Sequence, residues 1–491
     1  GKEPEKTDIT AEVRRLNADA SRMPPKEFRK GHVTPRPFDA ASIKKTELGF
    51  EIQLPSKAPV PTPTVYEGKV YVSGGFHSKE YYCFDAVTGK LVWAVNLDDD
   101  GPTSAVCADG VCIFNTESCT IFALDVDTGK QLWSYWLGDP LTSTPTIANG
   151  KVFTSYPIGG RAGGGLKDGP GQGANKNSGA GVTPKMPEAS HVFACLEIKT
   201  GVILWQRWID SDIMSASVAV GDDVYATSFA GTIYKFKQAD GLVLSAHRSR
   251  ATSAPVIVAG NVYLTQRADN GKDGKTEERI AAVDKQGEAR AGFEGFRRPA
   301  EYLDGKVQDR SAVKKGAVMA DAANGLGTSL QAVANAPAAY KNVGQGNIST
   351  MQAFQGSRIL NYGGNNFNCM GNEVLCTDPA DGKVRWSVKL DGNLEKVGGF
   401  LASAPAAAGG KIFLATIQGE LLQIDPASGK IEVRYKIGSP VRAQPAIEHG
   451  RAYVGTTDGK LVCIDTGHSE FTGWSTWGAN AAHTNLTEKH R

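Results

Sequence analysis

Cysteine has the widest choice of chemistry of any residue type in this chain, because a thiol can bind a metal, attach a haem or form a disulfide. The 491 residues include eight cysteines, at Cys83, Cys107, Cys112, Cys119, Cys195, Cys369, Cys376 and Cys463. No two of them are adjacent, and the sequence contains neither a Cys-x-x-Cys metal pair nor a Cys-x-x-Cys-His haem-attachment sequence. The spacing therefore leaves packing and disulfide formation as the roles to weigh.

One pair of cysteines has the spacing of a cross-strand disulfide. Cys107 and Cys112 flank Asp109-Gly110, and an X-Gly pair between two β runs is typical of a tight type I′ hairpin. With this turn Cys107 faces Cys112 at a non-hydrogen-bonded position, where Cα atoms approach to about 4.5 Å, within the span of a disulfide. We expect a disulfide here, which would place the protein in an oxidising compartment.

Cys369 and Cys376 are close in sequence but are not expected to pair. A turn at Gly371-Asn372 would place Cys376 opposite Phe367 and leave Cys369 at a different height on the sheet. The hairpin geometry therefore does not favour a disulfide between them, and the pairing of Cys119 and Cys369 stays open.

Four cysteines occupy one position of a repeated segment. Its clearest copy is residues 121–133, Ile-Phe-Ala-Leu-Asp-Val-Asp-Thr-Gly-Lys-Gln-Leu-Trp, and full or weaker copies recur eight times along the chain. The cysteines that stand where this copy has Ala123 are Cys83, Cys195, Cys376 and Cys463. A position that alternates between alanine and cysteine favours a small apolar side chain packed inside the protein.

The period of the repeat predicts the architecture. Repeats of roughly 40 residues indicate a solenoid or a propeller. Each repeat contains four predicted β-strands, named A to D in chain order, with X-Gly turns between A and B, including Gln355-Gly356 in the sixth repeat. Four-stranded units in series are typical of a β-propeller. Eight units are expected, starting near residues 61, 102, 142, 214, 252, 348, 402 and 442.

The eighth unit has no strand D of its own. Residues 48–54 have the spacing of a strand D, with Phe50 at the tryptophan position, so we expect this N-terminal strand to complete blade 8 and close the ring. The sequence thus predicts an all-β fold, an eight-bladed β-propeller over residues 47–467. An N-terminal extension, 1–46, precedes it, with a short helix within residues 9–18. A C-terminal tail, 468–491, follows, held against the ring by Trp474 and Trp477.

The pattern Ala-x-Asp-x-x-Thr-Gly-x-x-x-Trp, in eight copies over residues 47–467, resembles the tryptophan-docking repeat of the pyrroloquinoline-quinone (PQQ) propeller superfamily. One branch of that superfamily contains quinoprotein alcohol and sugar dehydrogenases. Another contains cofactor-free scaffolds of the BamB kind. The resemblance implies the fold, but a fold alone does not choose between these functions.

The start of each innermost strand is where a propeller channel would hold a ligand. Six blades carry a hydroxyl residue there, and the nearest charge is Arg442. The residues are Thr103, Ser143, Ser215, Ser253, Ser349 and Ser403. Either these small side chains fit a crowded inner strand and bind its backbone, or they line a solvated channel that accepts a small polar ligand. No catalytic, cofactor-binding or metal-binding residue is predicted, since the quinone enzymes need a bound cation, a carboxylate base and, typically, two adjacent cysteines.

The long insertions all connect strand B to strand C or strand D to the next blade. They span residues 159–190, 268–278 and 288–346. Both kinds of connection emerge on one face of a propeller, and binding residues concentrate on such loops. We therefore expect protein partners on this looped face, while the opposite face carries only short turns.

Composition narrows the class of partner. The formal net charge of +2 is far from the concentrated basic surface that nucleic-acid binding needs. No run of 18 apolar residues exists, so any membrane contact would be indirect, through a partner or a lipid anchor. The polar start of the chain fits a processed, secreted protein.

Together these features predict a non-catalytic, secreted scaffold or protein-binding propeller, periplasmic or at the cell surface, in an envelope or membrane-associated complex and without a cofactor. The alternative is a quinoprotein-like oxidoreductase that uses PQQ and calcium in an atypical site.

Overall fold

The computed structural model describes residues 8–18, 32–75, 77–116, 120–137, 143–157, 191–211, 213, 216–269, 276–284, 290–299, 359–394 and 400–487. These residues form eight antiparallel sheets of four or five strands each. The chain is an eight-bladed β-propeller, as the repeat predicts. Among the described residues no helix is long and apolar enough to cross a membrane.

The strands are given blade by blade, each blade in the order A to D. Blades 1 to 4 consist of Thr64–Tyr66, Lys69–Ser73, Glu80–Asp85 and Leu91–Asn96; Val106–Ala108, Val111–Asn115, Thr120–Asp125 and Gln131–Trp136; Thr146–Ala148, Lys151–Pro157, His191–Glu197 and Ile203–Ile209; Val218–Val220, Asp223–Thr227, Thr232–Lys237 and Val243–Arg248. Blades 5 to 8 consist of Val256–Val258, Asn261–Asp269, Thr276–Val283 and Arg297–Pro299; Ile359–Tyr362, Asn365–Met370, Glu373–Thr377 and Val384–Lys389; Ala406–Ala408, Lys411–Ala415, Glu420–Ile424 and Ile431–Lys436; Ala446–Glu448, Arg451–Gly455, Lys460–Asp465 and Gly49–Gln53.

Strand A is innermost, because A strands of neighbouring blades contact one another, including those of blades 8 and 1. The N-terminal strand Gly49–Gln53 pairs antiparallel with Lys460–Asp465, from Gly49 opposite Ile464 to Gln53 opposite Lys460. Blade 8 thus takes its inner three strands from the end of the propeller and its fourth from the beginning.

The repeated segment joins each blade to the next. The ring of Trp93 in blade 1 lies on Gly129 of blade 2, and its indole N–H donates to the Val126 carbonyl at 2.9 Å. Gly129 has φ +67°, and a Cβ there would lie 2.8 Å from the Trp93 ring, so only glycine fits this turn. The same contact joins Trp133 to Gly201, Trp205 to Gly241, Trp386 to Gly429 and Phe50 to Gly89.

The motif aspartate holds the turn that presents this glycine. Asp125 accepts hydrogen bonds from the Thr128 hydroxyl at 2.7 Å and the Thr128 N–H at 2.8 Å. The Thr128 hydroxyl is the main cause that lowers the pKa of Asp125. The repeat therefore encodes blade-to-blade packing. The aspartate holds the turn, and the tryptophan of the preceding blade covers the glycine in it.

Three predicted boundaries were wrong. The insertion expected at residues 268–278 is narrower, because Ala268 and Asp269 of strand B pair with Glu277 and Thr276 of strand C. In blade 6, strand A begins at Ile359 and the A–B turn is Gly363-Gly364, whereas the predicted turn at Gln355-Gly356 lies outside the described residues. Both glycines have positive φ, at 56° and 74°, as a type I′ turn requires at its two central positions. In blade 5, Arg297–Pro299 forms strand D by pairing with Glu277–Arg279, although the predicted insertion 288–346 included it.

The N-terminal extension covers outer strand edges. The helix Thr10–Leu16 lies beside strand D of blade 4, where the Ile9 N–H donates to the Ala246 carbonyl at 2.9 Å. Thr34–Pro35 pairs with strand D of blade 1, and Ile43–Thr46, after the short 3₁₀ helix Ala40–Ser42, adds a fifth strand to blade 8. Covered edges do not template pairing with another chain.

Candidate functional site: the channel

The predicted hydroxyl residues at the channel mouth bind their own blades. The Ser253 hydroxyl accepts from the Thr265 N–H at 3.0 Å, and the Ser403 hydroxyl accepts from the Ala415 N–H at 3.1 Å. Thr103 accepts from the Asn115 N–H at 3.2 Å in the same way. In each case the donor N–H lies on strand B of the same blade, beyond the last A–B ladder pair. The geometry favours the first interpretation of these hydroxyls, in which they satisfy the inner backbone.

The remaining mouth residues differ from this pattern. Ser143 is fully buried, and its hydroxyl has no hydrogen-bond partner among the described residues. Arg442 is half-buried, and burial lowers the pKa of its guanidinium. Ser215 and Ser349 lie outside the described residues. In blade 5, Tyr263 of strand B pairs with Val256 of strand A, and the mouth residue Ser253 lies three residues before Val256. The equivalent pair in blade 6 is Phe367 with Leu360, and the residue three positions before Leu360 is Ser357 rather than Ser349.

The C-terminal tail occupies the channel at the other end. It crosses the A–B turns of blades 7 and 8, where the Gly450 N–H donates to the Phe471 carbonyl at 2.8 Å. It then hydrogen-bonds to the inner strands of blades 8, 1, 3, 4 and 6. The bonded pairs are Trp474 with Ile447, Ser475 with Val65, Ala481 with Ile147, Ala482 with Ala219, and Asn485 with Ile359. Because blades 8 and 4 lie on opposite sides of the ring, the tail spans the channel.

Tryptophan and histidine side chains fix the tail, as expected for the tryptophans. Trp474 is fully buried, and Trp477 stacks on His483 with ring centroids 4.2 Å apart. The two ring nitrogens of His483 lie 2.9 Å from the carbonyl oxygens of Trp477 and Pro145. Burial is the largest cause of the lowered pKa of His483. Sequence reasoning found the anchoring tryptophans but missed the path through the channel, which no periodicity in residues 468–487 signals.

The paired cysteines have the predicted register. Cys107 lies opposite Cys112 in the A–B hairpin of blade 2, and both are buried free thiols in this structure. Cys83 of blade 1 belongs to the same apolar cluster. Burial, followed by the neighbouring Cys112 thiol, raises the pKa of Cys107. The register meets the geometric condition for the predicted disulfide, and the bond itself stays a prediction.

The motif-position cysteines are packing residues. Burial raises the pKa of Cys195 to about 12 and that of Cys376 to about 11, so both are neutral thiols near pH 7. Cys376 lies opposite Phe367, and Cys369 lies opposite Val374, as the predicted turn at Gly371-Asn372 requires. Cys119 lies outside the described residues.

Comparison with known proteins finds similarity in two parts of the chain that contain the repeat. A family model described as outer membrane protein assembly factor BamB matches residues 78–179 and 370–486. Quinoprotein alcohol dehydrogenase PedH of Pseudomonas putida is 32% identical over 106 residues. This match covers 19% of the present chain and only 18% of PedH, so it concerns a small part of that enzyme.

Solved structures share the fold. BamB from Moraxella catarrhalis superimposes with a TM-score of 0.50 over 86% of this chain and 97% of its own, at 14% identity. Quinohemoprotein alcohol dehydrogenase from Comamonas testosteroni superimposes with a TM-score of 0.50 over 88% of this chain and 77% of its own, at 13% identity. Identities this low carry the architecture and not the activity.

Proposed function

Because the chain is a β-propeller of the PQQ-like superfamily, we propose that it is a protein-binding scaffold that works outside the cytoplasm and meets its partner with the looped face. The observation that carries the proposal is the tail in the channel, which spans the ring beside the A–B turns and so obstructs entry from that face. The looped face is then the place to look for a partner.

The described strand ends support this choice of face. In blade 3, strand B ends at Pro157 and strand C begins at His191; between blades 5 and 6, strand D ends at Pro299 and strand A begins at Ile359. The ends of B and D strands point to the looped face. A–B turns, in contrast, are two residues long in every blade.

The residues at the mouth also support binding rather than catalysis. Three of the predicted hydroxyls already accept backbone hydrogen bonds, and the charge nearest to them is a guanidinium. A calcium ion prefers carboxylate and carbonyl oxygens, so the described mouth residues do not fit a PQQ–calcium site. We place the protein in the periplasm or at the cell surface, with membrane contact made through its partner.

A site-specific photo-crosslinker in blade 7 tests the proposal. Gln418 is exposed in the B–C turn of the looped face, and Ala427 is exposed in the C–D turn of the same blade on the opposite face. We expect a discrete cross-linked partner from position 418 in native envelope preparations and none from the matched control at 427. Cross-links from 427 alone, or none from either position, would contradict a looped-face partner.

The likeness to PedH favours one second candidate, a quinoprotein-like oxidoreductase that uses PQQ and calcium in an atypical site. Absorbance of the purified protein with and without added PQQ and calcium separates the two functions. A stoichiometric quinone chromophore together with dye-linked alcohol oxidation would replace the scaffold by the enzyme.

A further inference from the structure

Blade 6 presents three buried asparagines to blade 5. They are Asn361 in strand A and Asn366 and Asn368 in strand B, with 8%, 1% and 2% of their surfaces exposed. Between the latter two, Phe367 lies 5.8 Å from Trp386, whose indole N–H donates to the Pro426 carbonyl of blade 7. Since side chains alternate along a strand, the residues on the other side face blade 5.

The corresponding positions of the other blades are almost all apolar. Where blade 6 has Asn361, the register gives Val65, Cys107, Ile147, Ala219, Ile257, Ala407 and Ile447. Where it has Asn366, the residues are Val70, Cys112, Val152, Val224, Val262, Ile412 and Ala452. Where it has Asn368, they are Val72, Phe114, Thr154, Ala226, Leu264, Leu414 and Val454. The three amides on one face of blade 6 therefore replace the largely apolar packing that the other blades have at these positions.

The protein satisfies only part of the hydrogen-bonding capacity of these amides. Asn361 Nδ2 donates to Asn366 Oδ1 at 2.7 Å. Asn366 Nδ2 and both polar atoms of Asn368 have no partner among the described residues. A buried amide without a partner loses its bonds to water and gains none in return, which makes an empty arrangement of this kind unfavourable.

The opposing face of blade 5 supplies a polar but charge-balanced wall. The Tyr263 hydroxyl donates to the Pro379 carbonyl of blade 6, so Tyr263 and its alternating neighbours Thr265 and Arg267 face blade 6. Arg267 Nε lies 2.8 Å from Glu278 Oε2, and both side chains are buried. Glu278 balances the charge of the buried Arg267 within blade 5, and the other guanidinium of this interface, Arg290, is partly exposed and donates to the Pro379 carbonyl. The buried wall beside the asparagines therefore favours a neutral ligand over an ion.

We propose that Asn366 and Asn368 bind a neutral hydroxyl group between blades 5 and 6. A hydroxyl oxygen accepts from both Nδ2 amines, and its proton is donated to Asn368 Oδ1, which matches the capacity left open. Ordered water and the hydroxyl of a small polyol share this chemistry. Buried waters typically make about three hydrogen bonds to groups of this kind.

A crystal structure of the full chain tests the site directly and separates the two sources. Crystals grown without polyol should show a compact peak within hydrogen-bond distance of both amides. If water is the occupant, the peak persists after a glycerol soak; if a polyol is preferred, longer continuous density replaces it. Amides that bond to each other or to other protein groups, with no density between them, would overturn the proposal.

The sign of a stability change tests the site in solution. Asn368→Leu introduces the residue that blades 5 and 7 carry at this position, with little change in volume. If a hydroxyl is bound, the substitution removes its partners and lowers the thermal midpoint. If Asn368 is merely unpaired, the same substitution raises the midpoint and the proposal fails.

The matched control is Thr154→Val, which makes a polar-to-apolar change at the equivalent position of blade 3, where the threonine hydroxyl has a protein partner, Asn115. Glycerol titrations of both variants and the parent identify the source. A midpoint rise that is larger in the parent than in Asn368→Leu indicates a polyol, and equal rises indicate water. The crystal experiment uses the unaltered protein, so it decides the matter even if Asn368→Leu does not fold.

Discussion

The interface between blades 1 and 2 and the interface between blades 5 and 6 use the same backbone carbonyl as an acceptor, but different side chains donate to it. In the first, the Val126 carbonyl accepts from the Trp93 indole at 2.9 Å and from the Tyr71 hydroxyl at 3.2 Å. In the second, the equivalent Pro379 carbonyl accepts from the Tyr263 hydroxyl at 2.9 Å and from Arg290 at 3.2 Å. The same acceptor is used, but an arginine replaces the tryptophan.

The other residues of the two interfaces differ in the same way, apolar in the first and polar in the second. Between blades 1 and 2, Tyr81 stacks on Phe114 with centroids 4.0 Å apart inside an apolar cluster. Between blades 5 and 6 lie a buried ion pair and three asparagines. The repeat favours apolar packing between blades, and the departures from it collect between blades 5 and 6. The polar interface is therefore the one where specialised chemistry is to be sought.

The largest expected effect is the loss of stability when one aromatic ring is removed from each interface, Trp93 from the first and Phe293 from the second. Trp93→Ala should lower the free energy of unfolding by about 3–5 kcal/mol, because a buried tryptophan leaves a large cavity. Phe293→Ala, which removes the partly exposed ring beside Tyr263, should cost only about 1 kcal/mol. Urea unfolding of both variants measures the difference. Equal losses would mean that the two interfaces are packed equally well.

The buried ion pair gives the next effect. Glu278→Gln should lower the free energy of unfolding by about 3 kcal/mol, because it leaves the Arg267 guanidinium buried without its counter-charge. The double variant Arg267→Met/Glu278→Leu should recover most of that loss. A double-mutant cycle measures the coupling, and a double variant as unstable as Glu278→Gln would show that the charges do more than balance each other.

The disulfide prediction concerns the apolar interface. Oxidation of Cys107 and Cys112 should raise the free energy of unfolding by about 2 kcal/mol, the value expected for closing so short a loop. After alkylation of the denatured protein without reductant, mass spectrometry should find Cys107 and Cys112 linked to each other and not alkylated. Cys195 should be alkylated only once the protein unfolds. Alkylation of both Cys107 and Cys112 in the unreduced, denatured protein would exclude the bond.

The smallest expected effect is a pH dependence of the free energy of unfolding, and it comes from a residue that lies in neither interface. Burial lowers the pKa of His191 in blade 3 to about 3. The unfolded chain therefore binds the proton first as the pH falls below about 6.5, and stability is lost with decreasing pH. His191 should account for about 1 kcal/mol of loss between pH 7 and 5.5. His191→Phe should flatten this part of the pH profile of unfolding, and an unchanged slope would show that the histidine is protonated in the fold.

The ring itself was predictable because its signals are local. A glycine turn, a nearby tryptophan and the alternation of apolar residues identify each blade, and they also give the register of Cys107 with Cys112. Strand A of blade 6 was misplaced because the sequence has two X-Gly pairs eight residues apart, Gln355-Gly356 and Gly363-Gly364, and it does not show that the second forms the A–B turn.

The candidate site was less predictable because its contacts are distant in sequence. His483 meets the Pro145 carbonyl across 338 residues, and no local pattern encodes that pairing. The asparagines of blade 6 were visible in the sequence, but their common face depends on the corrected strand A, which pairs Asn361 with Asn366. Of the mouth hydroxyls, Thr103, Ser253 and Ser403 accept hydrogen bonds from backbone N–H groups of their own blades, as one of the two interpretations of the sequence expects.

Blade 8 has a consequence for the order of events during synthesis. Its fourth strand, Gly49–Gln53, is made before blades 1 to 7, and the strand that it pairs with, Lys460–Asp465, is made after them. Until then Gly49–Gln53 can pair only with Ile43–Thr46, and its other edge stays open, a kind of sheet edge that promotes aggregation. Contacts this far apart in sequence also slow folding. The tail follows Lys460–Asp465 in the chain, so a chain truncated before residue 460 would lack both the partner strand of Gly49–Gln53 and the tail that spans the channel.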